Sequence, residues 1–476
     1  MADQSAEPFV GVQLGSHSVF DEGVEHVLDT LQETAHVNAV FVYSHAYQNF
    51  MKNRPAEGLV DHGQGVGNKD RELGYRWVPA HEEYYRATVL RHADNSGTVY
   101  ADRDIFDELA EPARERGVAV FGRMLEGHEE FLARAIINWP QILVVDVYGR
   151  RGDVPCWNNP DYRSWMTATV TDVFATHQLA GFKYGAERSG PLSQMFLNLK
   201  APGCFCEHCQ TLAVTRGISV DRAMQGFRAV HELCERCARG DRPADGAFVS
   251  LVRLLLRYPE VFAWEQLWHE AMDSGAQEMY GTIKAVQPAA RVGWHVWHGV
   301  TFDPFYQAEM DYARMATYSD WVKPVVYHDI AGVRIQIVCD QLARTVFSDL
   351  TPPAVRTLLF EVLGYDPDRE ASYQDLPTSG MSANYVWREV RRCVHSLGGS
   401  TPVYAGVGFD VPTNGNPIRS TPEGVSQAVY RAFEAGAAGL LVSREYDEMR
   451  LENLCAVGAA IDRAARDGLI APGGGQ

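Results

Sequence analysis

The chain has 476 residues, of which 46% are hydrophobic, 22% charged and 11% aromatic, a composition typical of a globular protein with a large core. Its 43 basic and 61 acidic residues give a formal charge of -18, which argues against nucleic acid or an anionic membrane as the main partner and favours a neutral or cationic small molecule. No apolar run reaches the roughly 18 residues of a membrane span, and the N-terminus lacks the basic and apolar regions of a signal peptide, so we expect a cytoplasmic protein.

Short apolar runs recur along the chain, and each is followed by polar residues and then by a stretch of helical periodicity. Eight such runs lie at residues 9–14, 39–44, 118–123, 180–187, 291–297, 320–327, 402–409 and 439–445. We therefore predict an α/β fold with a single (β/α)8 TIM barrel over residues 1–470. The proline inside the sixth run predicts a bulge or a bent strand end. A ninth run, at 142–149, predicts a short extra strand in the third βα connection.

Two predicted connections are too long for simple loops. Residues 46–102 follow the second strand, and residues 188–260 form an insertion after the fourth strand that carries a cysteine cluster. Segments of this size at the carboxyl ends of barrel strands usually shape the substrate site. Long insertions at a barrel rim often pack against neighbouring subunits, which leaves a homo-oligomer open.

The cysteine cluster is the most specific motif of the sequence. Three cysteines lie within the six residues 204–209, and a fourth precedes the segment Asn158-Asn159-Pro160. This spacing is poorly suited to disulfides but can surround one thiophilic ion, most often zinc. A closed site of four thiolates has no open coordination position, so we predict a structural zinc ion bound by Cys156, Cys204, Cys206 and Cys209.

Three carboxylates stand where predicted strands end, which is where TIM barrels carry their catalytic groups: Glu187, Asp410 and Glu445. Glycoside hydrolysis needs two carboxyl groups, one to protonate the leaving oxygen and one to attack the anomeric carbon or activate water. Alternation along the fourth strand turns Glu187 inward, and the two small residues before it would leave room for a ligand. Glu445 faces inward only if Ser443 does. Each of these carboxylates could instead cap a helix or form a structural ion pair.

The strand ends also carry cationic, amide and aromatic side chains, which suit the hydroxyl groups and apolar faces of sugar rings. Arg188 could hold a second carboxylate in its ionised form or make a structural ion pair at the rim. Lys323 lies in the middle of a strand, where a lysine must be paired or functional. The predicted binding residues for a small carbohydrate substrate are Gln13, His45, Arg123, Arg188, His295, Trp297, His298, Lys323, Tyr327, His328 and Arg444.

The cysteine loop after the fourth strand resembles the zinc-binding loop of the β-galactosidases of glycoside hydrolase family 42, and is similar to that of uncharacterised glycosidase-like barrels with a Cys-x-Asn-Asn-Pro segment. In that family an Asn-Glu pair ends the fourth strand; here the pair is Ala186-Glu187, so the glutamate matches and the asparagine does not. The family nucleophile is a glutamate ending the seventh strand, where this chain has Asp410. The resemblance implies a retaining glycosidase with Glu187 as general acid/base and Asp410 or Glu445 as nucleophile.

Two other functions remain open. A metal-dependent sugar isomerase or epimerase would bind a divalent ion through rim residues such as His17, His45, His295, His298, His328 and Asp329. A barrel that binds sugars without catalysis would explain the same aromatic and cationic rim. A divalent ion site at the barrel mouth would favour the isomerase, and two facing carboxyl groups would favour the hydrolase.

Overall fold

The computed structural model describes residues 7–45, 62, 75–98, 100–126 and 131–471. The strands in this part are β1 (Phe9–Leu14), β2 (Ala39–Tyr43), β3 (Arg91–His92), β4 (Ala119–Leu125), β5 (Ile136–Ile137), β6 (Leu143–Val145), β7 (Arg151–Pro155), β8 (Gly181–Gly185), β9 (Arg291–Val296), β10 (Trp321–Pro324), β11 (Tyr404–Ala405) and β12 (Gly439–Val442).

Helices surround the strands and fill the long connections. They are α1 (Ser16–Glu22), α2 (Val24–Ala35), α3 (Ile105–Glu115), α4 (Phe131–Ala135), α5 (Pro160–Thr176), α6 (Pro191–Asn198), α7 (Glu207–Thr215), α8 (Val220–Ala238), α9 (Ala247–Arg257), α10 (Glu260–Val286), α11 (Pro304–Glu309), α12 (Tyr312–Ala316), α13 (His328–Arg344), α14 (Pro352–Leu363), α15 (Leu376–Ser379), α16 (Ala383–Ser396), α17 (Pro422–Glu434) and α18 (Leu451–Arg466).

Eight parallel strands form a nearly closed barrel, which confirms the predicted fold. Their spatial order is β10, β9, β8, β4, β2, β1, β12, β11, so each barrel strand pairs with its neighbour in the predicted series. Isolated parallel bridges between Val322 and Val403 and between Val325 and Gly406 join the two ends of this sheet. The eight predicted runs match the eight barrel strands, with shorter boundaries in most cases.

The seventh barrel strand, β11, is two residues long instead of the eight predicted. The cause lies in its neighbour β10, where the backbone N–H groups of Val322 and Val326 donate to Pro402 and Gly406 at 3.0 and 2.9 Å. Pro324 stands between these two donors and has no N–H group, so the ladder is interrupted there. The irregularity predicted from this proline is therefore the point where β10 ends and where its hydrogen bonding to β11 is interrupted.

Aromatic side chains close the bottom of the barrel. Phe9, Phe41, Phe121, Trp321 and Tyr404 pack together there, with the Phe9 and Tyr404 rings stacked at 4.1 Å and Phe41 and Phe121 at 4.5 Å. Polar and charged side chains occupy the next positions towards the carboxyl ends of the strands. The barrel interior therefore changes from an apolar plug to a polar floor at the end where barrel sites lie.

The long connections are only partly described. Most of the predicted excursion at 46–102 lies outside the described residues; within 75–98, β3 pairs antiparallel with β5. The predicted extra strand at 142–149 is confirmed as β6, which forms an antiparallel hairpin with β7. Between β8 and β9 the chain forms α6 to α10. In the described part of the chain, no helix combines the length and the apolar character that crossing a membrane requires.

Candidate active site

Two buried lysines form the floor of the site. Lys183 on β8 and Lys323 on β10 both donate through Nζ to Oε1 of Gln13, the second at 2.9 Å. Lys323 also donates to Ser443 Oγ at 2.8 Å and to Tyr327 Oη at 3.2 Å. Gln13 is fixed in this orientation because its Nε2 donates to the backbone oxygen of Arg444 at 2.7 Å. Among the sequence-predicted residues, Gln13, Lys323 and Tyr327 therefore come together.

Glu187 follows β8 and faces the space above this floor. Its Oε1 lies 3.0 Å from Nε2 of His295, and its side chain is 31% exposed, whereas that of His295 is 3% exposed. Burial alone would raise the pKa of Glu187, but the contact with His295 and the charges of Arg334 and Arg444 hold this pKa well below its usual range. Glu187 is thus an ionised carboxylate that solvent can reach.

His295 is neutral at physiological pH. Burial and the positive charge of the lysine floor lower its pKa to about 3, although Glu187 opposes this shift. The imidazole therefore contacts the carboxylate of Glu187 in its neutral form. The ring occupies the place beside Gly185, where an added Cβ would lie 2.8 Å from Cβ of His295. The absence of a side chain at Gly185, two residues before Glu187, therefore accommodates this histidine. This corrects the expectation that the small residue at this position leaves room for a ligand.

Glu445 follows β12, and its side chain points into the barrel. Ser443 faces the floor lysine, and Glu445 follows it inward, where its Oε1 accepts a hydrogen bond from Nη2 of Arg123. The Arg123 guanidinium also lies 3.7 Å from the centre of the Tyr43 ring. Oε2 of Glu445 is buried and has no hydrogen-bond partner among the described residues. Glu187 and Glu445 both raise the pKa of Lys183, Lys323 and Tyr43 through their negative charge, so they face the same floor.

Asp410 is bound to the barrel wall. Its Oδ1 accepts hydrogen bonds from Nε and Nη2 of Arg450 at 3.2 and 3.1 Å, and its Oδ2 accepts from Nδ2 of Asn453 at 2.8 Å. Its backbone has a φ of 54°, a left-handed conformation that aspartate tolerates better than most residues. These contacts tie the loop after β11 to the start of α18.

Arg188 contacts Glu126 and none of the three candidate catalytic carboxylates. Its Nε lies 2.8 Å from Oε2 of Glu126, and its Nη2 donates to Oε1 of the same residue at 3.1 Å. Trp157 donates from Nε1 to that Oε1 at 2.6 Å. Arg188, the residue after Glu187, is therefore connected through Glu126 to Trp157, the residue after Cys156.

The remaining predicted binding residues lie around the rim with partners of their own. Arg444 pairs with Glu448, while Nδ1 of His298 accepts a hydrogen bond from Nη1 of Arg334 at 2.8 Å. His328 begins α13 with Nε2 at 3.2 Å from Oδ1 of Asp329, and His45 Nδ1 lies 3.2 Å from Oγ of Ser44. Trp297 is half-buried beside Tyr306, with ring centres 5.6 Å apart.

The sequence prediction missed Lys183, Arg334 and Tyr43 as members of the site. Lys183 could have been found, because it shares the inward alternation of Glu187 along the same strand. Arg334 lies six residues into α13, and a rule based on strand ends cannot find a helix residue. Tyr43 joins the site through its contact with Arg123, a pairing that no local pattern shows.

A groove of about 590 Å³ lies between the start of the insertion and the β6–β7 hairpin. Its lining includes Arg188, Trp268 and Trp139. The guanidinium of Arg188 lies 5.3 Å from the Trp268 ring centre. This aromatic and cationic groove, whose wall includes the residue after Glu187, offers both stacking surfaces and hydrogen-bond donors.

The predicted metal-binding cysteines come together. The four sulfur atoms of Cys156, Cys204, Cys206 and Cys209 lie within 4.8 Å of one another and could bind a metal ion. Sγ of Cys204 accepts hydrogen bonds from the backbone N–H groups of Val145 and Cys206 at 3.3 and 3.4 Å. Four sulfurs with N–H donors directed at them form a donor set that fits a thiolate-bound ion.

The Asn-Asn-Pro segment has a structural explanation at this centre. Nδ2 of Asn158 donates to Sγ of Cys209 at 3.3 Å. The Asn159 side chain caps α5 by accepting from the backbone N–H groups of Asp161 and Tyr162, and Pro160 takes the first helical position. One short segment therefore supplies a cysteine, a donor to another sulfur and a helix start.

The histidines proposed for a mouth metal site do not gather. In the described ranges, the groups that could hold a metal are the four cysteines, Asp104 with Asp107 and His177, and Glu265 with His269 and Glu309. None of these groups contains His17, His45, His295, His298, His328 or Asp329. The geometry of the rim does not support the isomerase hypothesis.

Comparison with known proteins gives likeness in fold. No protein-family model matches the sequence, and no curated protein is significantly similar to it. The α-L-fucosidase isoenzyme 2 of Paenibacillus thiaminolyticus is similar over 98% of this chain and 51% of its own, with 12% identity and a TM-score of 0.51. The glycoside hydrolase domain of PgaB (BpsB) from Bordetella bronchiseptica is similar over 98% of this chain and 100% of its own, with 11% identity and a TM-score of 0.51.

A polyextremophilic β-galactosidase from the Antarctic haloarchaeon Halorubrum lacusprofundi is also similar, over 96% of this chain and 58% of its own, with 13% identity and a TM-score of 0.50. This chain thus spans about half of the fucosidase and somewhat more of the β-galactosidase. At these identities the likeness establishes the shared barrel and no more.

Proposed function

We propose that this chain is a glycoside hydrolase acting on a small glycoside or oligosaccharide. The observation that carries the proposal is Glu187, an ionised carboxylate at the end of the fourth barrel strand, with Glu445 facing the same floor. Two carboxyl groups over one polar floor are what glycosidic bond cleavage needs. The names of the similar barrels, a fucosidase, a β-galactosidase and a glycoside hydrolase domain, agree with this activity.

The charges suggest a division of roles between the two carboxyl groups. Glu187 is ionised in the free protein, which suits attack on the anomeric carbon or activation of water and not donation of a proton. Glu445 is the second carboxyl group over the floor, and its Oε2 has no hydrogen-bond partner among the described residues, so proton donation is the role that remains for it. We therefore assign attack to Glu187 and proton donation to Glu445. This reverses the acid/base role that the family resemblance implies for Glu187.

Asp410 is a weaker candidate for either role, because both of its oxygens are engaged by Arg450 and Asn453. Trp297 and the groove aromatic residues would supply the platform for sugar rings. The cysteine centre would hold a structural zinc ion, bound by Cys156, Cys204, Cys206 and Cys209. Such an ion would fix the insertion without taking part in bond cleavage.

A panel of nitrophenyl glycosides tests the proposal with wild type, Glu187→Gln and the surface control Glu25→Gln, whose side chain is 76% exposed. We expect wild type to hydrolyse at least one glycoside, Glu187→Gln to lose about 10³-fold in kcat, and the control to remain active. A folded wild-type protein that cleaves no member of a broad panel, or unchanged cleavage by Glu187→Gln, would refute this assignment.

A further inference from the structure

Lys183 and Lys323 form a pair of amines that the proposed hydrolysis does not use. Both side chains are fully buried, and both donate to the same oxygen of Gln13. In the described part of the chain, the partners of both amines are neutral oxygens, so neither amine contacts a carboxylate. Two ammonium groups that share one neutral acceptor would repel each other without the compensation of an ion pair. The pair therefore holds only one positive charge near neutral pH.

The hydrogen-bond partners indicate which amine keeps the charge. Lys323 has three acceptors, the oxygens of Gln13, Ser443 and Tyr327, which match the three donors of an ammonium group. Among the residues that the structure describes, Lys183 has only the Gln13 oxygen as an acceptor. The geometry thus favours an ammonium group on Lys323 and a neutral amine on Lys183.

The electrostatic surroundings agree with this distribution. Burial lowers the pKa of both lysines well below the usual value, and the charge of Lys323, followed by that of Arg123, adds to the shift of Lys183. The carboxylates that oppose this shift are occupied, since Glu445 pairs with Arg123 and Glu187 contacts His295. The charged or titratable groups facing Lys183 are Arg123 from β4, His295 from β9, Lys323 from β10, Glu187 after β8 and Glu445 after β12.

We propose that Lys183 is a nucleophilic amine that condenses with the carbonyl group of a small hydroxy-aldehyde or hydroxy-ketone, such as an open-chain sugar, to form an imine. The lone pair of Nζ attacks the carbonyl carbon and forms the C–N bond. Nζ then loses both of its hydrogens, and the carbonyl oxygen leaves with them as one water molecule. No oxidant or reductant is needed. A lysine beside a second cation is an arrangement that activates an amine for this reaction.

This chemistry is independent of the proposed hydrolysis, because it requires neither attack by Glu187 nor a glycosidic bond. It can be tested directly, since the sequence contains only six lysines, Lys52, Lys69, Lys183, Lys200, Lys284 and Lys323. Glycolaldehyde is the probe, and sodium cyanoborohydride converts any imine into a stable secondary amine. Peptide mass mapping then reports the labelling rate of each lysine.

At pH 6.5 we expect Lys183 to be labelled at least about tenfold faster than Lys200 and Lys284, because an exposed lysine is almost entirely protonated at this pH. The side chains of these internal controls are 42% and 24% exposed. Labelling of Lys200 and Lys284 with none on Lys183 would overturn the proposal. Preferential labelling of Lys323 would overturn the assignment to Lys183.

A matched pair of variants tests the role of the neighbouring charge. Lys323→Arg keeps the cation beside Lys183 and should keep its labelling at pH 6.5, whereas Lys323→Met should slow it at least fivefold. Equal rates in the two folded variants would contradict activation by that charge. If Lys323→Met does not fold, the wild-type labelling map still decides the proposal.

Discussion

At the scale of single residues, the contact between Glu187 and His295 sets the charge of the site. A neutral imidazole lies against the carboxylate, and this contact is one cause of the low pKa of Glu187. The contact therefore stabilises the form that attacks, and its loss should make Glu187 easier to protonate.

Replacing His295 tests this dependence. In His295→Phe this contact is lost, so we expect the acidic limb of the kcat/KM profile to move upward by about 1 pH unit or more. The profile should be measured from pH 3 to 8 on the best aryl glycoside, with His208→Gln, whose side chain is 33% exposed, as control. A uniformly lower activity with an unchanged profile would show that His295 only supports the fold.

For Asp410, in contrast, we expect a role in stability and not in catalysis. It is 8% exposed and pairs with Arg450, which has the same exposure, so breaking this pair should cost about 3 kcal/mol of unfolding free energy. Asparagine tolerates the left-handed backbone of this position, so Asp410→Asn isolates the loss of charge. We expect lower stability in urea and a kcat within about threefold of wild type. A loss near 10³-fold in kcat with full stability would instead place Asp410 among the catalytic groups.

Strand-end reasoning could select Glu187, Glu445, His295 and Lys323, but not their partners. Arg123 pairs with Glu445 across 322 positions of sequence, and Arg188 pairs with Glu126 in place of a catalytic carboxylate. These pairings depend on how far each strand is displaced along the barrel, which the sequence of one strand does not contain. The same is true of the lysine pair, whose members come from β8 and β10.

At the scale of elements, the barrel could be predicted because buried parallel strands leave near-continuous apolar runs. Strand length could not, since the pairing of β11 is interrupted both by Pro324 on its neighbour and by a local bond from the Val407 N–H group to the Ala405 carbonyl. The insertion after β8 was foreseeable as long and cysteine-bearing. Its boundaries at 188–260 stay a prediction, as does the extent of the barrel over 1–470.

The cysteine centre links two elements to the candidate active site. Cys156 ends the β6–β7 hairpin region, and the next residue, Trp157, binds the carboxylate that also holds Arg188. Arg188 directly follows Glu187. A change at the cysteine centre should therefore loosen one wall of the site through Trp157 and Glu126 without removing a catalytic group.

Cys206→Ser tests this link, with the exposed Cys455→Ser as a matched control. We expect Cys206→Ser, or treatment with a strong chelator, to lower the melting temperature and raise KM, while kcat in folded molecules changes less than about fivefold. Metal content by elemental analysis should fall in Cys206→Ser only. Equal metal content and stability in the two variants would remove the metal centre from the proposal.

At the scale of the whole molecule, the acidic net charge contrasts with a barrel floor lined by basic side chains. The formal charge is -18, yet Arg123, Lys183 and Lys323 all lie in the interior of the barrel. Burial also keeps several histidines neutral. It lowers the pKa of His45 to about 3 and that of His92 to about 2, and burial with nearby lysines lowers that of His295 to about 3.

These shifts determine how stability depends on pH. Below about pH 6.5 the unfolded chain protonates these three histidines, and also His298, whose pKa burial lowers, while the folded chain does not, so the free energy of unfolding falls as pH falls. Four buried acids act in the opposite direction, because burial raises the pKa of Glu448 to about 7 and that of Asp303 to about 6, and also raises the pKa of Glu265 and Glu389. The folded state binds their protons first, which offsets the histidine effect at mildly acidic pH.

Below pH 4.5 the offset weakens, because these acids become protonated in the unfolded chain as well, and Glu187 adds a further group that only the unfolded chain protonates. The free energy of unfolding should therefore fall more steeply with pH below pH 4.5 than above it. Urea unfolding at half-unit steps from pH 7 to 3.5 should show this break. Glu187→Gln should reduce the steep slope, while Glu25→Gln leaves it unchanged. A constant slope across pH 4.5 would mean that the buried histidines do not govern acid unfolding.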